Sequence, residues 1–356
     1  MSDLDAYRGT RPVAEAHRFD VAAVERYMRE HVEGFSGPLA VEQFRGGQSN
    51  PTFRLSAGGR SYVMRRKPPG KLLPSAHAVD REYRVITALA KTDVPVARTY
   101  ALCTDESVIG AVFYLMEYVE GRVLWDPRLP GMRPAERRAI YDETNRVIAA
   151  LHRVDYEAIG LGDYGKPGNY FRRQIDRWSR QYKASETETI EAMDRLIEWL
   201  PRNIPAGDAT TIVHGDFRID NMIFHQAEPR VLAVLDWELS TLGHPLADFS
   251  YHMMAWRLSA EEFRGLRGSD LAALGIPGEA EYLARYLERT GFPAPGERDW
   301  GFCMAYNMFR AAAIFQGVMA RAVAGNAASA QALDTGRRAR PMAELGWKQV
   351  ERLERA

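Results

Sequence analysis

The sequence predicts an α+β protein with two lobes, a small antiparallel-sheet lobe followed by a larger helical lobe. The chain has 356 residues, more than the roughly 100–150 residues of one typical domain. Residues 39–66 alternate apolar and polar side chains between glycine-containing turns, which is typical of strands. After Gly121 helical periods dominate the pattern. We therefore assign residues 1–117 to the sheet lobe and residues 118–356 to the helical lobe.

The sheet lobe begins with residues 1–18, which carry no clear period and are predicted to form a loosely held arm. Apolar residues at helical spacing predict an amphipathic helix over 20–31, with Asp20 as its cap. Strands are predicted near 39–41, 53–55, 61–65, 98–104 and 111–118, and a second helix over about 75–91.

The helical lobe is predicted to contain helices over 133–152, 171–183, 187–200 and 302–324. Residues 211–237 interrupt them with short apolar, strand-like runs and loops. The late helix carries Tyr306, Arg310 and Gln316. We interpret it as a buried core helix with satisfied polar groups. The alternative is that Arg310 binds an anionic acceptor.

Composition excludes several classes of protein. Lysine plus arginine and aspartate plus glutamate number 47 each, so the chain lacks the cationic excess of a nucleic-acid-binding protein. No apolar run approaches the roughly 20 residues of a membrane span, and the N-terminus has no apolar signal core. Cys103 and Cys303 match no metal-binding spacing and are expected to be buried thiols. We expect a cytoplasmic protein, and the sequence sets no oligomeric state.

The residues that carry chemistry lie in two apolar runs, 212–224 and 231–238. The first contains Asp216, with Asn221 five residues later, and the second delivers Asp236. Phosphoryl transfer needs a carboxylate that accepts the proton of the attacking hydroxyl and oxygen ligands for magnesium. These acids and the amide are therefore the kind of groups that phosphoryl transfer needs.

The run His214-Gly215-Asp216 through Asn221 resembles the catalytic loop of the aminoglycoside phosphotransferase family, which has a protein-kinase-like fold. The resemblance implies that Asp216 is the catalytic base and that Arg218 contacts the transferred phosphate. His214 would be architectural. Asn221 and Asp236 would bind Mg²⁺, with ATP or GTP as co-substrate.

The same resemblance extends to three other places. Asp248 resembles the buried acid that braces the catalytic loop. The stretch with Met116, Glu117 and Val119 resembles the hinge whose backbone binds the adenine edge. Gly46, Gly47 and Ser49 stand where the family has its phosphate-covering turn, although this turn lacks a full glycine motif.

Glu82 is suited to pair with a cation of the strand 62–65. That cation is Arg65 in the simplest register, with Lys67 on the same face as the alternative. Arg66 alternates to the opposite face and is expected to be solvated. Glu238 is compatible with a minor metal ligand, a supporting group or a surface acid.

Residues 62–70, 214–221 and 309–317 are similar to the kinase-like domains that accompany acyl-CoA dehydrogenases. This similarity implies a hydroxylated acyl group, or its CoA ester, as the small-molecule acceptor. The alternative is a pseudokinase-like module that binds nucleotide or acyl-CoA without catalysis. A protein kinase is disfavoured because only eleven residues separate Asp236 from Asp248.

Overall fold

The computed structural model describes residues 9–45, 50–68, 77–325 and 332–355. Its strands are β1 Thr10–Arg11, β2 Ala40–Phe44, β3 Thr52–Ala57, β4 Arg60–Arg66, β5 Thr99–Cys103, β6 Phe113–Glu117, β7 Arg122–Val123, β8 Thr211–Val213, β9 Met222–Phe224, β10 Val231–Val234 and β11 Thr241–Gly243. Its helices are α1 Val21–His31, α2 Val79–Leu89, α3 Pro134–His152, α4 Tyr170–Ala184, α5 Glu191–Trp199, α6 Pro245–Arg257, α7 Ala260–Phe263, α8 Leu271–Leu274, α9 Glu279–Thr290, α10 Glu297–Val323, α11 Ala332–Gly336 and α12 Ala339–Arg355.

The chain divides into two compact units. The first contains the residues through Trp125 together with Asn221–Leu239, and the second contains Asp126–Asp220 and the residues from Ser240 onward. Within the described ranges, no helix combines the length and the hydrophobicity needed to cross a bilayer.

The first unit is built on a six-stranded sheet in the order β1-β2-β3-β4-β6-β5, with antiparallel neighbours throughout. Helix α1 begins after Asp20, whose carboxylate accepts a hydrogen bond from the Ala23 N–H, so the predicted cap is confirmed. Val24 and Met28 of α1 pack with apolar residues of β3, β4 and β6 to form the core. Strand β9 pairs with β7 and β10 in a separate three-stranded sheet.

The second unit is mainly helical. Its core gathers apolar side chains from α4, α5, α6, α10 and α12. Strands β8 and β11 pair within it, and the loop that follows β8 carries the most informative motif of the sequence. Arg310 and Tyr306 are buried in α10, so the burial predicted for this helix is confirmed.

Arg66 contradicts its prediction. Its side chain is buried rather than solvated, and its guanidinium carbon lies 5.5 Å from the Phe19 ring centroid and 5.7 Å from that of Phe53. Alternation along β4 places Arg66 on the face of the sheet that α1 and Phe19 cover. Strand periodicity alone does not predict that this face is covered. Cation–π contact compensates part of the cost of burying its charge.

Candidate active site

The loop after β8 is held by a buried carboxylate on α6. Asp248 accepts hydrogen bonds from the backbone N–H of His214 at 2.7 Å and of Gly215 at 2.8 Å. His152 Nε2 lies 3.2 Å from the same carboxylate. Burial opposes the charge of Asp248, but its hydrogen bonds hold its pKa below the ordinary value. The brace expected of Asp248 is therefore confirmed.

The backbone of this loop takes a sharp turn. Gly215 has φ 84°, a left-handed conformation that glycine adopts without steric cost. His214 is fully buried, and its Nδ1 accepts a hydrogen bond from the Asp216 N–H at 3.1 Å. These contacts suit the architectural role expected of His214, and they fix the backbone at Asp216.

The carboxylate of Asp216 has two neighbours in the second unit. The Tyr251 hydroxyl donates a hydrogen bond to Asp216 Oδ1 at 2.6 Å, and Arg218 Nε lies 3.3 Å from the same oxygen. The Asp216 side chain is 20% exposed. The acid is therefore oriented by neighbouring groups and still reachable by a small molecule.

A group of arginines adjoins this carboxylate. Arg218 and Arg264 both contact Asp220, whose carboxylate is almost completely buried. The guanidinium carbons of Arg218 and Arg338 lie 5.6 Å and 5.9 Å from the Phe263 ring centroid. Arg218 thus shares Asp220 with Arg264 and the Phe263 ring with Arg338, and we call these three arginines the arginine cluster.

In the first unit the structure brings Arg65 to three carboxylates. Its Nε lies 3.1 Å from Glu82 Oε2, and its Nη2 lies 2.9 Å from Asp236 Oδ1 and 3.4 Å from Glu238 Oε2. Glu82 is buried and also accepts from Asn50 at 2.9 Å. Lys67, the alternative partner, instead lies 3.8 Å from Asp80.

Electrostatics in this group follow from burial. Burial raises the pKa of Glu82 to about 7, although Arg65 opposes the shift. For Arg65, burial disfavours the charge, but Glu82 and Asp236 outweigh it and raise the guanidinium pKa. The Tyr114 hydroxyl donates to Glu82 at 3.3 Å and adds support to the pair.

Asn221 and Asp236 are neighbours in the first unit. The Leu235 N–H donates to the Asn221 carbonyl at 2.8 Å, and β9 pairs with β10 directly beyond them. Asp236 has φ 65°, a left-handed conformation that is uncommon for a residue other than glycine and that concentrates at functional sites. Its side chain is 36% exposed. The accessible carboxylate of Asp236 offers the kind of oxygen ligand that Mg²⁺ prefers.

The remaining predicted nucleotide-binding residues are placed as follows. Met116 and Glu117 end β6, where the Glu117 N–H already donates to the Arg98 carbonyl at 2.8 Å. Val119 follows the strand and is half-buried. Gly46, Gly47 and Ser49 lie outside the described residues.

Sequence reasoning missed two contributors. Tyr251 was not singled out, although it stands three residues after Asp248 and so on the same side of a helix. Asn50, which follows the glycine-containing turn in sequence, is fully buried and donates a hydrogen bond to Glu82. The helical spacing could have identified Tyr251. No local pattern indicates the pairing of Asn50.

The antiparallel sheet with α2, together with the helical unit and its braced loop, defines a protein-kinase-like α+β fold, as predicted. The solved phosphotransferase APH(4)-Ia in complex with ADP and hygromycin B shares this fold. The two structures superpose with a TM-score of 0.59 and are 15% identical in sequence, and the match covers 92% of this chain and 98% of that chain. A family model described as the phosphotransferase enzyme family matches residues 40–300. The chain belongs to this family.

Three relatives are more similar in sequence. A solved structure from Ralstonia eutropha JMP134, whose name places it with the aminoglycoside phosphotransferases, is 64% identical. Its TM-score is 0.86, and the match covers 94% of this chain and 99% of that one. Acyl-CoA dehydrogenase family member 10 of Mus musculus is 48% identical over 341 residues, which make up 95% of this chain and 32% of that protein. The probable acyl-CoA dehydrogenase IBR3 of Arabidopsis thaliana is 44% identical over 353 residues, 93% of this chain and 43% of that protein. The chain thus spans less than half the length of these two curated relatives, and the predicted similarity to kinase-like domains associated with acyl-CoA dehydrogenases is confirmed.

Proposed function

We propose that this chain transfers the γ-phosphoryl group of ATP or GTP to a hydroxyl group of a small molecule, with Asp216 as the base. The observation that carries the proposal is the fixed Asp216 carboxylate. Asp248 braces its loop at two backbone N–H groups, and Tyr251 holds the carboxylate itself. A base must be held within hydrogen-bond reach of the proton that it removes.

In the proposed reaction the acceptor oxygen forms a bond to the γ-phosphorus while its proton passes to the Asp216 carboxylate. The bond between the γ-phosphorus and the bridging oxygen breaks, and the nucleoside diphosphate leaves with that electron pair. Arg218, which lies 3.3 Å from Asp216 Oδ1, would contact the transferred phosphoryl group. His214 would keep the loop in shape.

The nucleotide is proposed to lie against residues of the first unit. Arg65, positioned by Glu82, would contact its phosphates, and the backbone of Glu117 and Val119 would bind the adenine edge. Asn221 and Asp236 would hold Mg²⁺, which neutralises charge on the phosphate oxygens when it is bound. The ADP complex of the related fold supports a nucleotide co-substrate.

For the acceptor we propose an anionic molecule, a hydroxylated acyl group or its CoA ester, rather than an aminoglycoside. The arginine cluster supports this choice: Arg218 lies beside the proposed base, and Arg264 and Arg338 are linked to it through Asp220 and Phe263. Three arginines against the carboxylates of Asp216 and Asp220 leave one positive charge in excess, which favours a carboxylate or phosphate over a polycation. The acyl-CoA dehydrogenases among the relatives support the same class.

The test is a transfer assay that follows ADP formation and identifies the phosphorylated product by mass spectrometry. The acceptor panel contains hydroxyacyl-CoA thioesters with the hydroxyl at different carbons, the free hydroxy acids, kanamycin, choline and glucose. We expect transfer to a hydroxyacyl compound. Asp216→Asn should lower turnover by about 10²- to 10⁴-fold, the usual effect of a positioned base.

Asp176→Asn is the matched control, because Asp176 is an exposed acid on α4 of the same unit. Wild-type turnover in Asp216→Asn would refute the assignment of the base, and transfer to kanamycin alone would refute the anionic acceptor. Magnesium-dependent ATP binding without transfer to any compound would assign a binding module instead.

A further inference from the structure

Helix α6 reaches the proposed catalytic loop with two side chains. Asp248 and Tyr251 stand three residues apart and so on neighbouring positions of one helix face. Asp248 binds the loop backbone at His214 and Gly215, whereas Tyr251 binds the side chain of Asp216. One helix thus controls both the backbone and the carboxylate of the loop.

The contact between Tyr251 and Asp216 is a charge-assisted hydrogen bond. The phenol oxygen lies 2.6 Å from Asp216 Oδ1, within the short range of O–H···O⁻ bonds. Tyr251 is 8% exposed, and burial, together with the nearby Asp216 charge, raises the pKa of its phenol. The hydroxyl therefore remains protonated and can only donate to this carboxylate.

The ring of Tyr251 is itself held in place. The guanidinium carbon of Arg310 lies 5.0 Å from the Tyr251 ring centroid and 5.6 Å from that of Trp178. The same guanidinium donates a hydrogen bond to the Gly215 carbonyl at 2.5 Å. Arg310 thus connects the tyrosine ring to the backbone immediately before Asp216, so the phenol and the carboxylate are positioned together.

We propose that Tyr251 is a positioning residue for the reaction, which holds the Asp216 carboxylate in the orientation needed to take the acceptor proton. This inference rests on the proposed function of Asp216. Tyr251 acts through Asp216 and is not proposed to contact nucleotide. Its removal should therefore lower kcat and leave the KM for ATP unchanged, because ground-state binding of the nucleotide does not depend on it.

The experiment compares Tyr251→Phe with Tyr141→Phe. Both tyrosines are buried in the second unit, and the Tyr141 hydroxyl donates a bond of the same length, 2.6 Å, to the Pro127 carbonyl. Tyr251→Phe keeps the ring that Arg310 contacts and removes only the hydroxyl. We expect kcat to fall by about 10- to 100-fold in Tyr251→Phe, the scale of a misplaced reacting group, and to be unchanged in Tyr141→Phe. Thermal unfolding midpoints of the two variants should match.

Wild-type kcat in Tyr251→Phe would overturn the inference. So would equal losses of kcat in both variants together with equal losses of stability, since that result assigns Tyr251 a structural role only. A purely structural role would not produce a loss of kcat with an unchanged KM for ATP. We therefore measure both constants for each variant with the best acceptor of the panel.

A second measurement separates this inference from the proposed function. When a hydroxyl group donates a short hydrogen bond to a carboxylate, the resonance of the hydroxyl proton moves to low field in the proton NMR spectrum. Such a resonance, present in wild type and Tyr141→Phe and absent from Tyr251→Phe and Asp216→Asn, supports the positioning contact even if no acceptor of the panel is phosphorylated. Its absence from the wild-type protein would overturn the contact even if transfer is observed.

Discussion

Replacement of Arg65 by methionine should strongly destabilise the first unit. The substitution removes the cation that lies 3.1 Å from Glu82 and 2.9 Å from Asp236. Glu82 is 2% exposed and its pKa is raised to about 7 even beside Arg65, so without that cation the side chain must either stay charged and unpaired or take up a proton. Two unit charges about 4 Å apart interact by about 4 kcal/mol at an effective dielectric constant of about 20. Loss of one partner from a buried pair costs about 3–5 kcal/mol.

The assay is urea unfolding followed by circular dichroism, with the midpoint and the slope reported for each variant. Lys67→Met is the matched control, since Lys67 lies two residues along and its contact with Asp80 spans 3.8 Å between side chains that are 29% and 48% exposed. The control should cost less than about 1 kcal/mol, as exposed pairs do.

A double variant tests the cause of the loss. Arg65→Met with Glu82→Gln removes the buried charge while the glutamine oxygen can still accept from Asn50. This variant should therefore recover about 2 kcal/mol of the loss, because a neutral amide requires neither an unpaired buried charge nor the uptake of a proton. The reasoning fails if Arg65→Met is no less stable than Lys67→Met, or if the double variant is less stable than Arg65→Met alone.

Two further predictions concern the second unit. Asp248→Ala should lower the free energy of unfolding by about 2–5 kcal/mol, because it leaves the buried N–H groups of His214 and Gly215 without their acceptor. Hydrogen exchange at these two amides should accelerate. Unchanged protection from exchange would contradict the brace. Burial lowers the pKa of His252 from 6.5 to about 4, so the unfolded chain binds a proton first as the pH falls. The free energy of unfolding should therefore decrease by about 3 kcal/mol between pH 6.5 and pH 4 through this residue. Urea unfolding of His252→Gln should show a flatter dependence on pH, and parallel curves for variant and wild type would contradict the assignment.

Much of the fold could be predicted because local patterns specify it. The cap at Asp20 and the apolar face of α1 are readable from neighbouring residues, and the structure confirms both. The predicted helix 187–200 is wrong at its start, since α5 begins at Glu191. Thr187 instead accepts a hydrogen bond from Gln316 at 2.7 Å, a contact with a distant helix that no local pattern shows.

The parts of the candidate site that lie in a local sequence motif could be predicted. The parts that depend on packing between distant elements could not. The spacing from Asp216 to Asn221 identifies the loop, but the contact from Tyr251 spans 35 positions and exists only after α6 has packed. The burial of Arg66 against Phe19 could not be predicted for the same reason. The division into residues 1–117 and 118–356 and the individual roles of the site residues stay predictions.

The composition of the first unit has a consequence for its synthesis. The unit includes Asn221–Leu239, and β7 finds its partner β9 only within that late segment. A ribosome must therefore complete nearly a hundred residues of the second unit before it supplies the last strands of the first. Folding of the first unit during translation must wait for that segment, and a fragment that stops at Trp125 would leave β7 without β9. Expression of this unit alone would require a redesigned chain that joins Trp125 to Asn221 by a linker.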